Sequence, residues 1–306
     1  MKEKIIVLCG GIGEESQVSL TSGHCVEEAL KDDYEVQLIE LTENKLPSYL
    51  NPSDGLIFPA MHGDFGEDGQ LQAILESKGF HFAGSGSKAS RICMHKPSAK
   101  QMCRDAGFAT LNDIVFTETN KPTTQQVIKT LGSKVILKPS NKGSSVGVQA
   151  LHNEQEISQA LSNTFTNEWM FEPLLKGREI AIAVVGDESM GLLQIVPPGE
   201  IFDYFEKYNK SSATQYLYPA PVSDSLRDQM RFAASEIFTL LGCRDFARVD
   251  FMLDKNDRFF FMETNSIPGL RPTSLFSKSA MAAGSNFRQA LDGVLSSCRE
   301  RTLVFI

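Results

Sequence analysis

From Lys4 to Ala83 the chain alternates runs of strand length with runs of helical period, and that order constrains its fold more than any other feature. Lys4 to Cys9 is an apolar run ending in Gly10 and Gly11. A helical pattern follows from about Glu15 to Leu30, with Val18, Cys25, Val26, Ala29 and Leu30 on its apolar positions. Glu35 to Leu41 and Gly55 to Ala60 read as strands, Gln70 to Ser77 as a helix, and Phe80 to Ala83 as a short strand. Strand followed by helix, repeated, predicts a parallel α/β unit.

From about Lys96 the texture changes. A helix carrying Lys100, Met102 and Ala106 stops at Gly107, then come a strand at Asp113 to Phe116 and a helix near Thr124 to Leu131. Strands follow at Val135 to Lys138 and Trp169 to Leu174. The segment between Pro197 and Pro221 is polar and weakly periodic, which suits a functional loop or lid. A long helix at about Ser225 to Leu241 and two further strands come after it. At roughly 150 residues per domain, the length alone suggests about two domains.

Thirty basic and 38 acidic side chains give a net charge of −8, which argues against non-specific nucleic-acid binding. No apolar run reaches the ~18 to 20 residues of a membrane span, and the first residues lack a signal-peptide layout, so a cytoplasmic protein is expected. Six scattered cysteines with no C-x-x-C pair read as reduced thiols, and neither cysteines nor histidines have zinc-ligand spacing.

The strongest chemical signal lies in Ala247 to Leu253 and Arg258 to Asn265, two apolar runs flanking the polar turn Asp254 to Asp257. They predict a β-hairpin. If Leu253 faces Arg258, then Asp250 faces Phe261 and Arg248 faces Glu263. Arg248, Asp250, Glu263 and Asn265 then project from one face. A plain salt bridge of Arg248 with Asp250 or Glu263 is one reading. The other is a magnesium site, since close carboxylates repel without a cation and hard Mg²⁺ prefers such oxygens.

Val135 to Lys138 leads into a loop of glycines, serines and Lys142, whose backbone N–H groups could cradle phosphate or simply turn a hairpin. It lacks the G-K-[ST] ending of a Walker A loop. Gly10, Gly11 and Gly13 do not complete a dinucleotide fingerprint, because position 16 is serine. His62 sits at the carboxyl end of a strand, where α/β proteins place ligands, although His62 to Gly69 also reads as turn and cap chemistry. No G-x-S-x-G nucleophile is present.

In order, Gly10-Gly11 with Glu15 and Val18-Ser19-Leu20, His62-Gly63 with Gly66 to Gly69, Gly84 to Gly86, and Met94-His95-Lys96 form an ordered set. Lys138 to Ser140 with Gly143 to Gly147, Lys207-Tyr208, Arg248 to Asp250, and Glu263 to Asn265 through Gly269 complete it. The set resembles the D-alanine–D-alanine ligase family of the ATP-grasp superfamily over nearly the whole chain. The resemblance implies an α/β (α+β) ATP-grasp fold: an N-terminal parallel α/β domain (1–95), a central ATP-grasp subdomain (96–180) and a C-terminal one (181–306) with a lid at about 199–217.

It further implies a cytoplasmic ligase that joins two D-alanines through an acyl phosphate for peptidoglycan synthesis, with ATP and two Mg²⁺ ions (Mn²⁺ substituting), as a homodimer without nucleic-acid or membrane partners. Matching positions are Glu15, Ser144, Tyr208, Arg248 and Gly269 for catalysis. Lys96, Lys138, Ser144, Glu172, Leu175, Glu179 and Lys207 match ATP contacts, and Asp250, Glu263 and Asn265 match metal ligands. Glu15, Val18, His62, Arg248, Gly269, Ser274 and Leu275 match substrate contacts, the last two gripping the second carboxylate. The alternatives are a ligase with another second substrate (D-serine, D-lactate or another amino acid) or a non-catalytic nucleotide-binding module.

The chain departs from the family pattern at His95, where Asp is usual, at Gln17, where an acid is usual, and at Pro173 in the hinge. It departs most at Gly269 to Leu275, which reads Gly-Leu-Arg-Pro-Thr-Ser-Leu where the family has Gly-Met-Thr-x-x-Ser-Leu. Arg271 and Pro272 therefore put the second substrate in question, while Tyr208 argues against lactate.

Overall fold

The computed structural model describes residues 2–202, 206–207 and 212–303, so Tyr208 and part of the expected lid lie outside the described residues. The N-terminal alternation folds as the pattern requires. Strands β1 (Lys4–Gly10), β2 (Glu35–Leu41) and β3 (Leu56–Pro59) form a parallel sheet in the order β2-β1-β3, with helix α1 (Ser16–Leu30) crossing between β1 and β2. The middle strand carries Ile5 to Cys9 with no exposed surface, as an apolar run covered on both faces should. Helices α2 (Gln70–Ser77) and α3 (Ser87–Met94) follow. The strand expected at Phe80 to Ala83 is a single parallel bridge, Ile57 to Phe82, because only the two bonds from Ile57 N–H and Ala83 N–H reach across.

Next come α4 (Lys96–Asp105), β4 (Ile114–Phe116), α5 (Thr124–Leu131), β5 (Val135–Pro139), β6 (Gln149–Leu151), α6 (Glu154–Ser162) and β7 (Trp169–Pro173). Their strands form an antiparallel sheet, β4-β7-β5-β6. Thr123 starts α5 with a reciprocal capping box to Gln126, which satisfies two helix-end donors.

The third sheet holds β8 (Gly177–Val185), β9 (Glu188–Val196), β10 (Gln215–Leu217), β11 (Phe246–Asp254) and β12 (Phe259–Asn265), antiparallel in the order β10-β9-β8-β11-β12. Helices α7 (Asp224–Leu240), α8 (Leu275–Ala282) and α9 (Phe287–Leu303) pack around it. No expected element covers the β8–β9 hairpin, although Gly186-Asp187 is its two-residue turn, with Gly186 at φ +65°. The expected boundary at 180/181 falls inside β8, which pairs with β11 from Gly177 to Val185.

One apolar cluster fuses the first and third sheets: Ile5 and Val7 of β1, Val26 of α1 and Phe58 of β3 join Val185, Phe246, Phe276 and the inner face of α9. Phe58 stacks on Phe246 at 5.9 Å. Against the other face of the third sheet, Met230 and Ile237 of α7 and Ala99 and Cys103 of α4 cover Ile182, Val249 and Phe251.

Helix α8 lies on β8 and β9 at a close approach that only glycine permits. The pairing of β8 with β9 shifts around Ala183, and Ala183 N–H donates to Ser279 Oγ (2.8 Å), which in turn donates to Gly191 O (2.5 Å). A Cβ on Gly191 would stand 2.5 Å from Ala282 backbone. Gly191→Ala should therefore cost roughly 1–3 kcal/mol by overpacking, a fall of about 2–10 °C in thermal unfolding midpoint.

Candidate active site

The β11–β12 hairpin supplies the acidic end of the site, in a register that differs from the expected one. Asp254 closes the turn, its N–H donating to Arg258 O (2.8 Å), with Asp257 in the left-handed region at φ +58°. The loop is thus three residues rather than four, a usual three-residue hairpin geometry. Leu253 then faces Phe259, and the pairing shifts once more between Asp250 and Phe251, leaving Met262 as the extra residue of a bulge. Asp250 faces Glu263 and Arg248 faces Asn265. The four polar residues still share one face, as expected.

Arg248 binds Asp250 through a two-pronged pair (Nε to Oδ1 2.8 Å, Nη2 to Oδ2 2.7 Å), and Asn265 Nδ2 adds a bond to Asp250 Oδ2 at 3.1 Å. The plain salt bridge anticipated as one reading is therefore present. Asn265 spends its amide nitrogen there, which leaves its Oδ1 as an acceptor. Glu263 lies 3.3 Å from Lys96 Nζ. Burial alone would raise its pKa, but Lys96, Lys207 and Lys138 outweigh that and hold its carboxyl down at about 2.

Facing this hairpin is the central sheet. Lys138 of β5 and Lys100 of α4 both pair with the carboxylate of Glu172 on β7, and Lys100 also reaches Asp113 at 2.9 Å. Burial opposes the Lys138 ammonium, yet Glu172 more than offsets it and leaves Lys138 above the ordinary lysine range. The same two lysines pull Glu172 below the carboxylate range against its burial. Lys100 is expected only as a helix residue and not in the site, although Lys96, Lys100 and Arg104 recur every four residues and so share a helix face that must meet anions.

Between the two sheets lies a cavity of about 340 Å³. Lys96, Lys138, Glu172, Leu175, Glu179, Lys207, Asp250 and Glu263 all line it, while Ser144 and Asn265 do not. Burial lifts the Glu179 carboxyl to about 7, helped by Asp250 and Glu263 and opposed by Lys207. Burial in turn lowers Lys207, against the pull of Glu263 and Glu179.

A second cavity of about 110 Å³ adjoins the first, with Phe202 and Lys207 lining both. Glu15, Val18, His62, Ser144, Arg248, Gly269, Ser274 and Leu275 meet there, so every described residue expected to serve catalysis or substrate binding lines one space. Asn265, Glu67 and Arg271 join them. Ser144 donates to Glu15, tying the glycine-serine loop to the N-terminal sheet, and Ser145 Oγ donates to Phe202 O at 3.0 Å. Gly63 is needed beside them, because a Cβ there would lie 2.6 Å from Glu15 Oε2. Burial raises both Glu15 and Glu67, and Glu67 is raised further by the charge of Glu15.

His62 fixes another part of the cavity wall. Its Nδ1 lies 3.1 Å from Ile267 O, and its Nε2 lies 2.8 Å from Ser22 Oγ, which also accepts from Leu270 N–H at 3.3 Å. A neutral ring donating from Nδ1 and accepting at Nε2 satisfies this chain of bonds. The loop on both sides of Gly269 is thereby clamped.

Burial drives His62 down to about 4. The unfolded chain takes up this proton near pH 6.5 but the folded one does not until about 4, so the group removes stability as pH falls through that window. The loss should reach about 3 kcal/mol near pH 4. His62→Gln should flatten this part of the pH dependence, read as the difference between wild-type and variant urea unfolding at pH 7 and pH 4.5.

The D-ala D-ala ligase C-terminus family model matches residues 102–296. A D-alanine–D-alanine ligase of Actinobacillus pleuropneumoniae serotype 5b is 35% identical over 296 residues, covering 96% of this chain and 97% of that protein. Among solved structures, a D-alanine–D-alanine ligase from Bacillus anthracis complexed with ATP superposes with a TM-score of 0.84 at 29% identity, over 97% of this chain and 98% of that one. The VanG D-Ala:D-Ser ligase from Enterococcus faecalis superposes with a TM-score of 0.85 at 26% identity, over 97% of this chain and 100% of that one.

Proposed function

The chain belongs to the D-alanine–D-alanine ligase family, and on that premise we propose that it joins two D-alanines into D-alanyl-D-alanine, driven by ATP through an acyl phosphate, for peptidoglycan precursor synthesis. One observation carries the reading. The larger, lysine-lined cavity meets the smaller one at Phe202 and Lys207, so a nucleotide and an amino acid fit end to end with Arg248 beside their junction.

ATP occupies the larger cavity, with Leu175 and the backbone after Glu172 toward the base, Glu179 toward the ribose, and Lys96, Lys138 and Lys207 toward the phosphates. Ser144 and its loop close over the phosphates. The side chains at the hairpin fit magnesium, because Asp250, Glu263 and Asn265 Oδ1 offer three hard oxygens on one face. Among the described residues no three His, Cys, Asp or Glu side chains form a metal cage, which leaves the remaining positions to phosphate oxygens and water. Magnesium, as two ions for which manganese can substitute, supplies charge neutralisation at the phosphates when bound. The homodimer and a cytoplasmic place of action are part of the same proposal. No helix among the described residues is long and apolar enough to cross a membrane.

In the smaller cavity Glu15 accepts the ammonium of the first D-alanine, and Val18 packs against its methyl. Its carboxylate, turned toward the phosphates, attacks the γ-phosphorus and releases ADP. The amine of the second D-alanine then attacks the acyl carbon, forms the peptide bond and expels phosphate. Arg248 and the Gly269 N–H stabilise the oxyanion, and the clamp of His62 and Ser22 holds Gly269 in place. Ser274 and the Leu275 N–H hold the second carboxylate at the start of α8. Tyr208, the third member of the expected trio with Glu15 and Ser144, lies outside the described residues.

Phosphate release should occur with ATP, Mg²⁺ and D-alanine alone, with D-alanyl-D-alanine identified by mass, and should stop on chelation. Glu263→Gln should lower kcat roughly 100-fold or more, a few kcal/mol of lost charge stabilisation. Release only with D-serine or D-lactate present would reassign the second substrate, and ATP binding without release would overturn the ligase.

A further inference from the structure

Arg271 has no role in the reaction described so far, yet it lines the small cavity together with Arg248, Gly269, Ser274 and Leu275. Its Nε is buried and has no hydrogen-bond partner, and among the described residues no carboxylate pairs with its guanidinium. Arg248, by contrast, is already held by both oxygens of Asp250. A buried guanidinium N–H without an acceptor is unfavourable, so this fork is suited to an anion that arrives with the ligand.

The backbone presents that side chain rigidly. Arg271 O accepts from Ser274 N–H at 3.0 Å and from Ser277 Oγ at 2.5 Å, which fixes the turn entering α8. Pro272 confines Arg271 to extended backbone. Glu15 and Glu67 line the cavity together with Arg248, Lys207, Arg271 and the residues that start α8, so it offers groups of both signs to an amino acid. The charge of Arg271 also weighs against protonating His62 and Lys278, which shows its reach across this wall.

The order of bond formation then locates its partner. The second amino acid must turn its amine toward the acyl carbon beside Arg248 and Gly269, so its carboxylate extends away from them, toward Ser274 and Arg271. Resting on the ligase reading above, we propose that Arg271 binds the carboxylate of the second substrate and makes the enzyme select a free α-amino acid as its nucleophile. The site thereby gains a point of specificity at the position where its sequence departs from the family.

The test is competition between D-alanine and D-alaninamide as nucleophiles, with ATP, Mg²⁺ and the two products separated by mass. The amide has the more readily deprotonated amine, so preference for the acid must come from binding. Wild type should favour D-alanine by roughly 100-fold, and Arg271→Gln should reduce that preference at least about tenfold. The KM for second-site D-alanine should rise about tenfold or more, while kcat and the KM values for ATP and first-site D-alanine stay within about twofold. Arg271→Lys should fall between, because it keeps the charge and loses the fork.

An unchanged preference in Arg271→Gln, or a shift confined to the KM of ATP or first-site D-alanine, would overturn the assignment. Should that variant not fold, Arg271→Lys decides: a preference reduced about threefold or more supports the assignment, and an unchanged one overturns it. A wild type that makes no dipeptide at all would instead overturn the ligase reading.

Discussion

The cleft depends on one extra residue in β12. The turn at Asp254 sets a register in which Leu253 faces Phe259, and continued unchanged it would put Met262 opposite Asp250. Glu263 would then share a face with Phe251 and Phe261, inside the apolar layer against α4 and α7. An ionised carboxylate there would cost several kcal/mol or force itself neutral. The bulge at Met262 restores the parity. Phe251, Phe261 and Thr264 stay on the packed face, and Arg248, Asp250, Glu263 and Asn265 gather on the face toward the phosphate loop.

Charge in that cleft is balanced by pairs that tie helix α4 to both the central and the third sheet. Glu172 joins α4, β5 and β7 through Lys100 and Lys138, and Lys96 joins the start of α4 to β12 through Glu263. Breaking one member of such a buried set strands the others, at about 3–5 kcal/mol, so the same contacts that prepare a phosphate site also hold the central sheet against the third. The chain is acidic overall, yet it concentrates Lys96, Lys138, Lys142 and Lys207 around one cavity. Local convergence, and not net charge, is what a triphosphate meets.

Much of this was legible in the sequence because it follows from period and turn chemistry. The β1–α1–β2 unit and the helices at Gln70–Ser77 and Thr124–Leu131 emerge where the pattern puts them. The clustering of Arg248, Asp250, Glu263 and Asn265 survived a wrong register, since a three-residue turn plus a bulge shifts the pairing by two and leaves the faces unchanged. What stayed hidden depends on tertiary partners. Lys100 looks like a surface helix residue until Glu172 and Asp113 are brought beside it. Each strand of the β8–β9 hairpin is a mostly apolar run without alternation, because both of its faces are covered. Arg271 stood out only as a departure, and its unpartnered Nε belongs to the folded pocket.

The Gly143 to Gly147 loop shows why such sites resist local rules. Ser144 and Ser145 are consecutive non-glycine residues in the left-handed region, at φ +51° and +57°. Each costs roughly 1–2 kcal/mol against the usual conformation, and nothing in the order of the sequence repays it. The partners that hold them lie elsewhere: Glu15 at the head of α1 takes the Ser144 hydroxyl, and Phe202 O takes that of Ser145. The closed shape of the loop is therefore stable only while the N-terminal sheet and the segment after β9 are both in place. A strained loop held from two sides makes phosphate enclosure conditional on closure of the substrate cavity, which suits a reaction whose acyl phosphate must be kept from water.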